Sequence, residues 1–552
     1  MNRFSVQANL VDIIEREIFP AEVTIEEGKI IRIEKISGTP DQYILPGFVD
    51  SHIHIESSMV TPVEFSRTAI SHGTVATVSD PHEIANVLGR KGVEYMVANA
   101  SLTPMKILFG APSCVPATDF ESSGAKITAA DISEMLNWDD IGYLSEMMNY
   151  PGVIYNDDEV HKKLEAAAKK GVPIDGHAPG LTGEDLRKYA EGGITTDHEC
   201  FTIEEAREKI SYGIHIQIRE GSGAKNFNNL IPLLNEYPEM VMLCSDDLHP
   251  NDLIKGHINL LVKRALQMGY DLFDVLRSAS YNAVLHYKLN VGLLREGDPA
   301  DFILVDSIED WNIKSVCING SYCFENEEVN IDNSQEETPS IVQHTETPNN
   351  FQAKEITEKD LIVSAKGKTL KVIQAIDGEL ITRKQSFVYE GEKRNVSSDT
   401  GKDILKLVVV NRYENKAPAI GFINGFGLKK GSLASSIAHD SHNIICVGTS
   451  DRDIKEAVNW IIRNKGGIVS FDGKDFSGLP LPVAGIMTNK PVALAAETYE
   501  KASEMAKRMG TGLAAPFMTL AFMSLLVIPE LKLSDKGLFD GTSFSFTPLF
   551  DD

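Results

Sequence analysis

The stretch PGFVDSHIH, residues 46–54, runs an apolar segment straight into two histidines separated by a single residue. The same grammar recurs in TVATVSDPH (74–82), MKILFGAPS (105–113), DDIGYLSEM (139–147), VPIDGHAP (172–179), GITTDHEC (193–200), IHIQIREG (214–221) and VMLCSDD (241–247). Near-continuous apolar strands of this kind are buried on both faces, as parallel strands are. Helix-like segments such as 158–171 and 253–269 lie between them. Eight strand–helix units predict an α/β chain built on a (β/α)8 TIM-type barrel over 43–289, and such barrels carry their functional groups at the strand C-termini.

Outside that stretch the pattern changes. Segments 1–42 and 290–325 hold short alternating pieces, AEVTIEEGKIIRIEKI and GDPADFILVD, which read as the two halves of a small flanking β domain. Residues 326–352 are acidic and rich in Asn, Thr and Pro, with no apolar period, and read as a connection. Residues 353–552 read as a separate C-terminal α/β domain, with strands at 406–413, 443–449 and 466–471 and helices at 451–464 and 496–509.

The composition, 42% hydrophobic and 24% charged over 552 residues, is that of a multidomain globular protein. A net charge of -26 argues against nucleic acid or an anionic membrane as partner, since both need a cationic face. The opening residues lack the features of a signal peptide, and the apolar run at 514–528 is interrupted by Pro516, Thr519 and Ser524, so it reads as buried core. Six scattered cysteines without a CxxC pair fit free thiols in a reducing, cytoplasmic setting.

His52 and His54 fall two apart on a strand, so both imidazoles face the same side. Glu146, His177, His198 and Asp246 each stand at the tip of a later strand. Burying six imidazole and carboxylate groups at one barrel end without a cation would be costly. They are expected to bind two divalent ions: His52, His54 and Asp246 on one, His177 and His198 on the other, and Glu146 bridging. Imidazole suits manganese, iron or zinc, and such a centre turns water into a nucleophile near neutral pH. Asp246 is expected to move the proton, whereas Asp247 should face the other side of its strand.

Further candidates are Asp80, His82 and Glu83 after the second strand, as substrate contacts or further metal ligands, or with Asp80-Pro81 simply opening a turn and capping a helix. Arg219, Glu220 and Ser222 after the seventh could line the pocket or form an ordinary ion pair. His439, Asp440, His442 and Asn443 could form a lid or a hydrogen-bonded turn. Gly425, Gly427 and Gly431 around Lys429 and Lys430 do not have P-loop spacing.

The run LPGFVDSHIHIESSM (45–59) resembles the first-strand signature of the amidohydrolase superfamily. SEMMNYPGV (145–153), DGHAPGL (175–181), SDDLHPNDL (245–253) and AHDSHN (438–443) are similar to the adenine deaminase family. The resemblance covers nearly the whole chain. It implies deamination of adenine to hypoxanthine in purine salvage, manganese or iron ahead of zinc, Glu146 in the place of a bridging carboxylated lysine, and a homo-oligomer, dimer or tetramer. Leu248 departs from the basic residue expected there. The rival readings are hydrolysis of a cyclic amide or N-acyl substrate, and a catalytically silent barrel serving in assembly.

Overall fold

The computed structural model describes residues 3–331, 347–388 and 395–551. Eight strands follow the sequence pattern: Phe48–Ile53, Thr74–Ser79, Lys106–Ala111, Ile141–Met147, Ile174–Gly176, Thr196–Asp197, His215–Arg219 and Val241–Cys244. They pair parallel and in chain order, the first five in one sheet and the last three in another. The first two are buried at every residue, which is why their sequences do not alternate.

Main-chain bonds curl this parallel array. Thr195 N donates to Ile174 O at 2.8 Å, linking the fifth strand toward the sixth. Asp246 N donates to His52 O at 3.0 Å and His54 N to Asp246 O at 3.3 Å, drawing the end of the eighth strand against the first. Buried polar groups reinforce that seam, because the Asp50 carboxylate accepts from Ser245 N at 3.1 Å, Ser245 Oγ at 2.5 Å and His52 N at 3.2 Å. A buried carboxylate with several donors is satisfied, and it fixes the strand tips that carry the histidines.

The segments before and after this array share one eight-stranded sheet. Tyr43–Pro46 joins them, pairing parallel with Arg3–Asp12 and antiparallel with Phe302–Val305. That strand opens the stretch which the sequence assigns to the barrel, yet its partners lie in the flanking sheet. Within the expected connection at 326–352, Glu328–Val329 pairs with Ser321–Glu325, and residues 332–346 lie outside the described residues.

The C-terminal residues build a nine-stranded mixed sheet with the helices Asp451–Asn464 and Val492–Arg508 packed on it. The apolar run near 514–528 becomes a short helix, Pro516–Ala521, and a further turn, Phe522–Ser524, all buried. No helix among the described residues is long and apolar enough to cross a membrane. All six cysteines are buried and unpaired with one another.

Candidate metal centre

The six strand-tip residues meet. His52 Nε2 lies 3.3 Å from His54 Nε2, and Asp246 Oδ1 lies 3.2 Å from His54 Nε2 and 3.7 Å from His52 Nε2. Glu146 reaches both sides of the cluster. Its Oε1 is 3.6 Å from His54 Nε2, while its Oε2 is 2.8 Å from His177 Nδ1 and 3.1 Å from His198 Nε2. The His52 and His198 rings stack at 4.1 Å between centroids. All these side chains are buried except His177, which is partly open.

The electrostatics are those of a cation site. Burial raises the Glu146 carboxyl, but His177 and His198 outweigh it and hold the group well below the usual range. Burial also raises Asp246, and Arg219, His54 and His198 outweigh it in the same direction. For His54 burial opposes charge, yet Asp246 and Glu146 lift the ring well above its ordinary value. Six carboxyl side chains line the cavity, Glu83, Glu146, Glu199, Asp246, Asp247 and Asp440, against one arginine, Arg219. Buried atoms without a hydrogen-bond partner include His52 Nδ1, Asp80 Oδ2, His82 Nδ1 and His198 Nδ1. This donor set of imidazoles and anionic oxygens fits divalent metal ions.

Asp80 and His82 join the cluster: His82 Nδ1 lies 3.2 Å from Asp80 Oδ2 and 3.4 Å from Glu146 Oε1. Glu83, also on the cavity lining, clasps the C-terminal half of the chain, with His439 Nδ1 at 2.8 Å on one oxygen and His442 Nε2 on the other. His439 and Asp440 line the cavity. Asn443 does not. Its Oδ1 accepts from Arg412 N at 3.1 Å and its Nδ2 donates to Ser122 O at 2.8 Å, so it belongs to the turn that supports the loop.

Arg219 lies in the cavity, with Nη1 2.7 Å from Asp246 Oδ2 and Nη2 2.8 Å from Glu199 Oε2. Glu220 and Ser222 lie elsewhere. Glu220 pairs with Arg264 at 2.8 Å and lines a different cavity, and Ser222 donates to Asp252 at 2.7 Å. The strand ends at Arg219, so no regular alternation aims Glu220 or Ser222 at the cluster.

Asp247 overturns the expectation that it faces away. The eighth strand ends at Cys244, and Asp246 adopts the left-handed backbone (φ 57°), so the two-residue alternation no longer applies. Asp247 lines the same cavity and accepts the Ser57 hydroxyl at 2.5 Å. Glu199 was also missed. Its signal was its position beside His198 together with an arginine, Arg219, that needed an anionic partner. An apolar wall of Leu380, Phe522, Leu525, Val527 and Ile528 faces the polar floor, and no local pattern marked it.

A curled parallel sheet with an imidazole–carboxylate cluster at its strand tips is the frame of a metal-dependent hydrolase, and the amidohydrolase family model matches residues 43–323. The model of the adenine deaminase C-terminal domain matches residues 379–545. The chain is 52% identical to an adenine deaminase of Methanosarcina mazei, covering 98% of this chain and 99% of that one. It is 49% identical to an adenine deaminase of Salinibacter ruber, over 100% of this chain and 99% of the relative, and 53% identical to one of a Sulfurovum species, over 98% of each. The chain belongs to the adenine deaminase family of the amidohydrolase superfamily.

Proposed function

We propose that the chain hydrolyses adenine to hypoxanthine and ammonia, returning a free base to purine salvage. The observation that carries the reading is the likeness, at about half of all positions and over nearly the full length, to curated adenine deaminases. The site geometry by itself supports hydrolysis by an activated water, and the relatives supply the substrate.

In this reading residues 43–289 form a closed (β/α)8 barrel, supported by parallel pairing in chain order and by the bonds from Asp246 back to the first strand. Residues 1–42 and 290–325, joined by the strands Tyr43–Pro46 and Glu328–Val329, form the small β domain, 326–352 otherwise the connection, and 353–552 the α/β domain that covers the barrel mouth. The protein works in the cytoplasm as a homo-oligomer, a dimer or tetramer.

His52, His54 and Asp246, together with His177, His198 and Glu146, would hold two divalent ions, manganese or iron ahead of zinc. When bound they supply a water whose pKa falls to about 7. Asp246 takes a proton from the attacking water and returns it to the exocyclic amine, so that ammonia rather than its anion departs. The water oxygen first bonds to C6 as the N1=C6 electron pair moves onto N1, giving a tetrahedral carbon; the bond from C6 to the exocyclic nitrogen then breaks, and that nitrogen takes the electron pair away with ammonia. Of the two water protons, one leaves with ammonia and the other ends on ring N1. Arg219 holds Asp246 by the oxygen that faces away from the histidines, while His439 and Asp440 close the mouth and limit bulk water.

The test is ammonia release by metal-replete protein, with hypoxanthine identified as product, against ring opening of cyclic imides in parallel. Turnover of the imides without ammonia from adenine would sink the reading.

A further inference from the structure

Two residues of the apolar wall, Leu380 and Phe522, come from distant parts of the chain and are tied by one side chain. Lys532, on the strand Leu531–Ser534, is fully buried and donates from Nζ to Leu380 O at 2.6 Å and to Phe522 O at 3.0 Å. Among the described residues it has no acidic partner, and burial alone pushes its amine down to about 7. An uncompensated amine in an apolar interior is unfavourable, and a methionine of similar length would fill the same space. Both of its acceptors belong to residues that face the cavity. Phe522 also stacks on His439 at 5.0 Å between centroids, so its backbone position sets one edge of the mouth.

We propose that Lys532 is a positioning residue for the purine: it pins the backbone at Leu380 and Phe522 so that the apolar wall stands at a fixed distance from the imidazole–carboxylate floor. The proposal rests on the adenine reading. A planar base is held by burial and stacking, and a wall that must first be ordered spends that binding energy on its own immobilisation. A single donor shared by two carbonyls removes that freedom before the base arrives.

The experiment compares Lys532→Met with Lys406→Met in otherwise intact, metal-loaded protein. Lys406 is also a fully buried amine, donating to Leu361 O at 2.7 Å and paired with Asp451, but it lies away from the cavity. Hydrogen exchange over residues 378–383 and 518–528 should quicken in Lys532→Met alone. Its KM for adenine should rise about 10-fold, equivalent to roughly 1.4 kcal/mol of lost binding. Its kcat should fall less, the pattern of a ground-state contact removed. Lys406→Met should lower Tm and leave KM unchanged. Lys532→Gln, a shorter donor, should give an intermediate KM and serves where Lys532→Met does not accumulate folded. Unchanged exchange, or faster exchange with an unchanged KM, overturns the proposal. Wild-type protein that releases no ammonia from adenine overturns the functional reading instead, and the exchange data then still decide whether Lys532 pins the wall.

Discussion

Replacing Asp246 by asparagine separates proton transfer from metal binding. In the wild type one carboxylate oxygen lies 3.2 Å from His54 Nε2 and the other accepts Arg219 Nη1 at 2.7 Å. An amide offers one acceptor and one donor, so whichever way it turns, one face is wrong. Turning its oxygen to Arg219 keeps that bond and sets an NH2 against the histidines. The opposite turn forfeits a hydrogen bond to a charged partner, about 1.5–3 kcal/mol. Loss of a positioned proton carrier is larger in kinetic terms, roughly 100- to 10,000-fold in rate. We therefore expect Asp246→Asn to lose at least about 100-fold in kcat while retaining most of its metal. The assay is ammonia release from adenine, with metal content measured by plasma mass spectrometry on the same sample. Asp247→Asn is the companion, since Asp247 shares the cavity and its carboxyl binds the Ser57 hydroxyl; its loss should be smaller. Near-normal kcat in Asp246→Asn, or a greater loss in Asp247→Asn, refutes the role. Metal loss in step with activity would leave Asp246 as a ligand only.

Chelation should abolish ammonia release, and manganese or iron should restore it; full activity in rigorously metal-free protein would end the case for a metal centre. His442→Ala removes one of the two imidazoles on Glu83 and should lower turnover with metal content near normal, whereas Asn443→Ala should chiefly lower Tm, by about 1–3 kcal/mol of stability, because it leaves Arg412 N and Ser122 O unpaired. Wild-type kinetics in His442→Ala would reduce the clasp to a turn. Burial lowers the Lys532 amine from 10.5 to about 7, so between those values the unfolded chain binds a proton that the folded chain does not. Wild-type stability should therefore rise with pH across that window relative to Lys532→Met; parallel curves for the two proteins would show that the amine is hydrated.

The strands and their tips were legible because burial on both faces writes itself as unbroken apolar runs, and each run at 46–54, 139–147, 172–179, 193–200 and 241–247 holds near its end a residue that joins the cluster. Period-two reasoning placed His52 and His54 together because that strand stays regular through Ile53. The same reasoning failed for Asp247, where the chain leaves the strand two residues earlier and Asp246 turns left-handed, a change that no side-chain pattern announces. For Glu220 the ion-pair alternative is the one drawn, with Arg264, since proximity in sequence to Arg219 says nothing about direction once the strand has ended.

What the sequence hid is nonlocal. Phe522 to Ile528 look like any apolar core segment, and most of their surface is indeed buried; what sets them apart is what stands opposite them, a floor built from residues several hundred positions earlier. Glu83 shows how the two are made one site. It sits directly beside His82, which faces the cluster, yet it spends both carboxylate oxygens on imidazoles of the C-terminal half. A carboxylate left unpaired there would be costly to bury, so Glu83 on the curled parallel array is satisfied by the loop at 439–442. Docking brings Phe522 with it through the His439 stack and through the bond from His439 N to Ala521 O at 3.2 Å. The polar clasp thus sets the register of the apolar wall over the metal-type floor, and a substitution that loosens Glu83 should shift the wall and the mouth together rather than either alone.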